Sequence, residues 1–263
     1  MSSIKICGLQ QPEMVRSILH LPIDYIGFLF AKSKRQVTPE QASKMIEVLD
    51  EQRAAGLSHP LSVGVFVNPS QSELTSIMQE ARLDVIQFHG QESPEHCQWV
   101  KDTFPGVQVW KVVSVVKGNQ SHSDHTLAVT VKSESNTARH KDDEGAAGVP
   151  TAVELNHVDA LLTPYKYVVD AILLDTFDPE YGGGSGKTFA WEAITAYQAW
   201  CSAVNLRLFV AGGLLPDNVG ELLDTYAPDG VDVSSGVETD GMKDINKITR
   251  FVERVKHRDT STG

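Results

Sequence analysis

Cysteine, positive charge and long apolar runs are all scarce in this chain of 263 residues, and each scarcity removes a class of protein. The three cysteines, Cys7, Cys97 and Cys201, are odd in number and far apart. They supply neither a disulfide framework nor a CxxC zinc spacing, and they fit reduced thiols. Lysine and arginine total 23 against 34 aspartates and glutamates, a formal charge of -11. That balance argues against a nucleic-acid footprint or a face for anionic lipid, so an anionic ligand has to be held locally. No run approaches the roughly 18–20 apolar residues of a membrane span, and Met1-Ser2-Ser3 leads straight into Ile4-Lys5-Ile6-Cys7 without a signal-peptide core. A cytoplasmic protein is expected. With 41% apolar and 22% charged residues the chain can build a sizeable core and is not disordered as a whole.

Short apolar, β-branched runs alternate with longer amphipathic stretches, the rhythm of a parallel sheet with helices packed outside. Eight such units are present. The strand candidates are Ile4–Cys7, Tyr25–Leu29, Ser62–Val67, Val85–Phe88, Val107–Val113, Ala171–Leu174, Leu208–Ala211 and Gly230–Val233. Helices are expected near Glu13–His20, Pro39–Ala55, Ser70–Ala81, Pro94–Phe104, Val153–Thr163, Phe189–Ser202, Pro216–Thr225 and Lys243–Lys256. Thr38-Pro39 with Gln41, and Ser93-Pro94 with His96, read as helix starts. The count and length suit a single-domain α/β protein, a (β/α)8 TIM barrel, whose chemistry gathers where strands end and βα loops begin. An open doubly wound sheet is the alternative.

One segment, 117–152, interrupts this rhythm between the fifth strand and its helix. It has no aromatic residue, carries the charge run Arg139 to Glu144, and is read as a mobile polar insertion. Its Thr126–Val131 alternates weakly, as a hairpin strand would. His122 and His125 form an HxxH with His140 nearby, but with no cysteine and no helix to fix them a solvated loop is the preferred reading and no metal is expected.

The strand ends supply the candidate chemistry. Cys7 closes the first strand before Gly8, where a thiol is either a small buried hydrophobe or a base at the barrel mouth. Lys5 shares its face of the strand, and a neighbouring ammonium favours thiolate. Asp175 follows the apolar Ala171–Leu174, as a cap for the next turn or as an acid partner for the thiol. Asp232, inward on the last strand, either neutralises Lys5 or meets substrate.

Glycine-bearing turns follow strands six, seven and eight: Gly183-Gly184-Ser185-Gly186 after Gly182, Gly212-Gly213, and Ser234-Ser235-Gly236. In series they make a phosphate cup from backbone N–H groups. Gly186-Lys187-Thr188 also resembles the end of a P-loop, but Tyr181 stands where that motif needs glycine. In Lys32-Ser33-Lys34-Arg35, Arg35 is either solvated or a bidentate partner for a substrate carboxylate.

Taken together, several motifs resemble the phosphoribosylanthranilate isomerase family of tryptophan biosynthesis. They are Lys5-Ile6-Cys7-Gly8, Ser33-Lys34-Arg35, Val63 to Asn68, Gln87-Phe88-His89-Gly90, Leu174-Asp175-Thr176 with Gly183 to Gly186, Ala211 to Leu214, and Val231 to Glu238, in order along nearly the whole chain. The resemblance implies a (β/α)8 enzyme that performs an Amadori rearrangement of N-(5-phosphoribosyl)anthranilate to 1-(2-carboxyphenylamino)-1-deoxyribulose 5-phosphate. It implies Asp175 as general acid, Cys7 as base, Arg35 on the anthranilate carboxylate, His89 and Asp232 lining the site, and the three glycine turns on the phosphate. The expected partner is a phosphorylated small molecule, with no nucleic acid and no membrane. The reaction is internal redox between adjacent carbons, so no cofactor is expected. The segment 117–152 is longer than the family's usual connection there.

Free Asp titrates near 3.9 and free Cys near 8.5, so both need tuning if acid and thiolate are to coexist near neutrality. A dry pocket raises the first; Lys5 and the cup are expected to lower the second. The histidine-pathway sugar isomerase, with Asp in place of Cys7, and indoleglycerol phosphate synthase, with catalytic Lys and Glu at strand ends, are separated by the thiol. A non-catalytic sugar-phosphate binding or sensing module is the alternative from another class; phosphate binding alone requires neither Cys7 nor Asp175.

Overall fold

The computed structural model describes residues 2–116, 128–130, 149–176 and 191–259. Eight of its strands are the apolar runs of the sequence: β1 (Ser3–Cys7), β2 (Tyr25–Leu29), β3 (Leu61–Phe66), β4 (Val85–Phe88), β5 (Gln108–Val116), β7 (Ala171–Thr176), β8 (Arg207–Val210) and β9 (Gly230–Val233). All pair in parallel, and β1 hydrogen-bonds to both β2 and β9, with Lys5 opposite Tyr25 on one side and Asp232 on the other. Because β4 also pairs with β5, the ring of eight strands closes, and the open doubly wound alternative is excluded. The helices follow as α1 (Pro12–Ile18), α2 (Pro39–Ala54), α3 (Gln71–Glu80), α4 (Pro94–Thr103), α5 (Ala152–Leu162), α6 (Ile194–Val204), α7 (Val219–Thr225) and α8 (Ile245–Asp259). Among the described residues no helix is long and apolar enough to cross a membrane.

Local chemistry sets most helix starts. Thr38 and Gln41 form a reciprocal capping box at α2, Thr151 and Glu154 form another at α5, and the Ser93 hydroxyl accepts from the His96 N–H at α4. Helix α7 begins three residues later than Pro216, because Asn218 folds a turn instead, accepting from the Leu215 N–H and donating to the Gly213 carbonyl. Strand β5 runs three residues past Val113. Its extra length pairs with β6 (Ala128–Thr130), inside the segment read as an insertion. That pairing is parallel, so the expected hairpin strand is not a hairpin. The zinc and P-loop candidates, His122, His125, His140 and Gly186 to Thr188, lie outside the described residues.

A further pair of strands went unread in the sequence. Strands β10 (Glu238–Thr239) and β11 (Met242–Lys243) are antiparallel across Asp240-Gly241, both at positive φ, the two-residue turn that suits hairpin twist. Lys243 is thus a strand residue and does not start α8.

Strand alternation divides the apolar residues. Ile6, Phe28, Ile86, Val113, Leu174 and Val231 face the helices, whereas Tyr25, Val63, Val85, Trp110, Leu173 and Phe209 fill the barrel. Trp110 anchors the interior, 4.7 Å from the Tyr25 ring edge-on and 4.3 Å from Phe209. Two residues on along the strands, the interior turns polar with Gln87, Asp175 and Asp232 buried. The aromatic plug fills the barrel below these groups, which line a cavity at the C-terminal strand ends.

A buried ion pair fixes two loops at that face. Lys111, fully buried on the helix side of β5, donates to Glu92 Oε2 at 2.8 Å and to the Gly90 carbonyl. Glu92 in turn accepts from the N–H groups of Asn68 and Gly90. Breaking such a pair leaves a buried charge uncompensated, at about 3–5 kcal/mol. Glu92→Ala is expected to lower unfolding stability by that amount in urea titration. Replacing both partners with apolar residues is expected to recover only part of it, because the two backbone donors lose their acceptor. A loss below about 1 kcal/mol, the range of an exposed pair, would contradict this assignment.

Candidate active site

The last residues of several strands converge on one cavity, lined by Cys7, Arg35, Gln87, His89, Asp175 and Asp232, with Gly212, Gly213, Ser234, Ser235 and Gly236 along its rim. Every candidate named from the sequence that lies among the described residues is here. Gly183, Gly184, Ser185 and Gly186 lie outside them. Gly212 has φ +85°, and a side chain there would collide with Thr176, so the chain can bend over β7 only as glycine.

Asp175 is buried on β7, accepts from its neighbour's N–H at Thr176 at 2.7 Å, and sits 3.5 Å from His89 Nε2 without hydrogen-bonding to it. Burial, reinforced by the Asp232 charge, pushes its carboxyl up to about 7. His89 is pushed the other way, down to about 4, by burial and by the charges of Lys111 and Lys5. At neutral pH it is an uncharged imidazole, while Asp175 still holds a proton in about half of the molecules.

Cys7 differs from the sequence expectation. Burial raises its thiol above the ordinary range, and the opposing pull of Lys5 does not overcome it. Lys5 is fully buried and donates to Asp232 Oδ2 at 3.0 Å, which answers the question left open for Asp232: it neutralises Lys5 and lines the cavity as well. Burial pulls the Lys5 ammonium down, but Asp232 and Cys7 hold it above the usual lysine value, so it stays charged.

Arg35 is not a solvated loop residue. Its Nε and Nη2 grip Glu238 at 2.7 and 2.9 Å, a bidentate pair that uses two of five guanidinium donors and leaves three. Lys243 donates to the same carboxylate at 2.7 Å and to the Ser234 carbonyl at 2.9 Å. The Arg35 stem crosses Gly8, whose φ of +81° and missing Cβ make the crossing possible. Glu238 and Lys243 were not singled out as site residues; the Asp240-Gly241 turn that joins them was the available signal.

The arrangement can donate a proton from a neutral carboxyl, accept one at a sulfur beside an ammonium, and hold an anion against glycine turns. A sequence profile of the family described as N-(5'phosphoribosyl)anthranilate (PRA) isomerase matches residues 4–133 and 144–254, passing over only 134–143 within the expected insertion. N-(5'-phosphoribosyl)anthranilate isomerase of Brevibacillus brevis is 40% identical over 256 residues, covering 97% of this chain and 94% of that protein. A crystal structure of phosphoribosyl anthranilate isomerase from Thermotoga maritima aligns over 98% of this chain and 100% of its own, with 30% identity and a TM-score of 0.67. Another, solved in complex with reduced 1-(o-carboxyphenylamino)-1-deoxyribulose 5-phosphate, aligns over the same shares with 27% identity and a TM-score of 0.64.

The raised Asp175 carboxyl has a consequence for stability. Its folded value lies above the unfolded one of about 3.9, so the folded state favours the protonated form, and the cost of the charge grows as pH rises from about 4 through 7. Asp175→Asn removes that cost. It is expected to stabilise the protein at pH 8 by up to about 4 kcal/mol, with the gain vanishing near pH 4, as measured by denaturant unfolding at both pH values. An equal effect at both, or a loss at pH 8, would show that Asp175 folds charged.

Proposed function

The chain belongs to the N-(5'-phosphoribosyl)anthranilate isomerase family of tryptophan biosynthesis, and from that premise we propose that Asp175 and Cys7 carry the Amadori rearrangement in this cavity. Asp175 gives its proton to the ribose ring oxygen, and the furanose opens to an iminium at C1. The Cys7 thiolate takes the proton from C2. The resulting enolamine gains a proton at C1 and loses the one on its C2 oxygen, which leaves the ketone. Hydrogen has moved from C2 to C1 with nothing added or removed, so the balance requires no external oxidant or reductant.

The observation that carries this reading is that a buried carboxyl, raised to about 7, and a thiol line the same cavity. A module that only held a sugar phosphate would gain nothing from a protonated acid opposite a sulfur. Arg35 is proposed to meet the anthranilate carboxylate with the donors that Glu238 leaves over, and Gly212, Gly213, Ser234, Ser235 and Gly236 to hold the phosphate. Gly183 to Gly186 are proposed for the phosphate on the sequence pattern alone.

The productive form needs Asp175 protonated and Cys7 ionised, although the acid titrates below the thiol. That form is therefore a minority at every pH. Its population rises up to about pH 7, stays level, and falls once Cys7 itself titrates, above the ordinary thiol range. The kcat/KM profile, followed by the fluorescence loss of freshly made substrate, is expected to show an acidic limb near pH 7 and an alkaline limb above about 8.5. Cys7→Ala and Asp175→Ala are each expected to lower kcat by about 10²-fold or more with the fold retained. Near-normal turnover of either variant would remove that residue from its role.

A further inference from the structure

Among the described residues, six buried side-chain nitrogen or oxygen atoms have no hydrogen-bond partner, and three of them belong to residues on the cavity wall: Gln87 Oε1, His89 Nε2 and Asp232 Oδ1. An unpaired buried polar group costs about 1–3 kcal/mol. Three orphans around one cavity are therefore groups that a bound molecule can satisfy.

Gln87 is the one to which neither the sequence motifs nor the reaction assigns a part. It is only 2% exposed, and on β4 its strand neighbours on either side are Val65, which has no side-chain donor, and Trp110, whose indole N–H goes to Gln108 Oε1. Its amide oxygen is left unsatisfied in the polar layer of the cavity wall. Asp232, across the barrel, has one oxygen on Lys5 and the other unpaired. Acceptor oxygens repel a carboxylate or a phosphate, and those ends of a substrate have Arg35 and the glycine turns to go to. What suits the acceptors between them is a group that donates.

We infer that Gln87 accepts a hydrogen bond from a ribose hydroxyl of the substrate, as a further binding residue beside Asp232. The inference rests on the reading of the cavity as a sugar-phosphate isomerase site. It assigns Gln87 to holding the middle of the substrate, while Asp175 and Cys7 handle its protons. A site built around a hydroxyl discriminates strongly against an analogue that lacks it, because the buried acceptor is then left bare.

Gln87→Met keeps most of the volume and removes the amide. Its kcat/KM is expected to fall about tenfold or more, from loss of one well-placed hydrogen bond. The ligand-free variant is expected to be at least as stable as the parent, because an orphaned carbonyl has gone; a structural role would lower stability instead. The decisive comparison is a cycle of binding constants. Parent and Gln87→Met are each titrated with reduced 1-(o-carboxyphenylamino)-1-deoxyribulose 5-phosphate and with the same molecule lacking its sugar hydroxyls. The parent's preference for the hydroxylated ligand is expected to drop about tenfold in the variant. Equal preference in both proteins would overturn the inference and leave Gln87 to a water.

A second measurement does not depend on the variant folding. The side-chain amide resonance of Gln87 in the unaltered protein is expected to shift with the hydroxylated ligand and not with the deoxy one; an unmoved resonance would also overturn the assignment. Absence of isomerase activity in the unaltered protein would instead strike the proposed function itself, so the two failures are distinguishable.

Discussion

The buried pair of Lys5 and Asp232 is the interaction on which the rest of the site depends. It bridges the first and last strands of the barrel, at the seam where the sheet closes. An ion pair so placed gives little net stability, since desolvating both charges offsets most of their attraction, and losing either partner strands the other. Its significance is electrostatic. The ammonium limits how far burial raises the Cys7 thiol, while the carboxylate adds a like charge to the burial that raises Asp175. The two partners oppose each other at both groups, and at each the stronger pull is in the direction that the proposed reaction needs.

The same dryness that prepares the acid hinders the base. Burial raises Asp175 into the range where it still holds a proton at neutral pH, and it also raises Cys7, which in the proposed reaction must lose one. On the proposed mechanism the protein operates with a small fraction of its molecules in the productive ionisation state, and the intrinsic reactivity of a thiolate in a desolvated cavity has to compensate. The aromatic plug of Tyr25, Trp110 and Phe209 and the clamp of Lys111 on Glu92 keep the cavity dry from below and its loops fixed at the mouth.

Much of this was legible in the sequence, because the barrel obeys local rules. Strands announce themselves as β-branched runs, helices by Thr38, Ser93 and their partners, and the site by which residues fall at strand ends. What was not legible depends on contacts between distant elements. Arg35 pairs with Glu238, 203 positions away, and Lys243 joins them only because Asp240-Gly241 turns the chain. The direction of the Cys7 shift is a contest between burial and a neighbouring charge, and spacing on a strand gives the neighbour without the burial. Gln87 read as one more residue of a motif; its significance is a missing partner, which no sequence pattern records.

The central claim is that burial and a like charge hold Asp175 protonated near neutrality, as an acid ready to open the sugar ring. Carboxyl carbon NMR of the ligand-free protein, with Asp175 assigned by its Asn variant, reads that titration directly. A midpoint near 7 is the result this account requires. A midpoint near 4, the value of a solvated aspartate, would contradict it and send the search for the general acid elsewhere in the cavity.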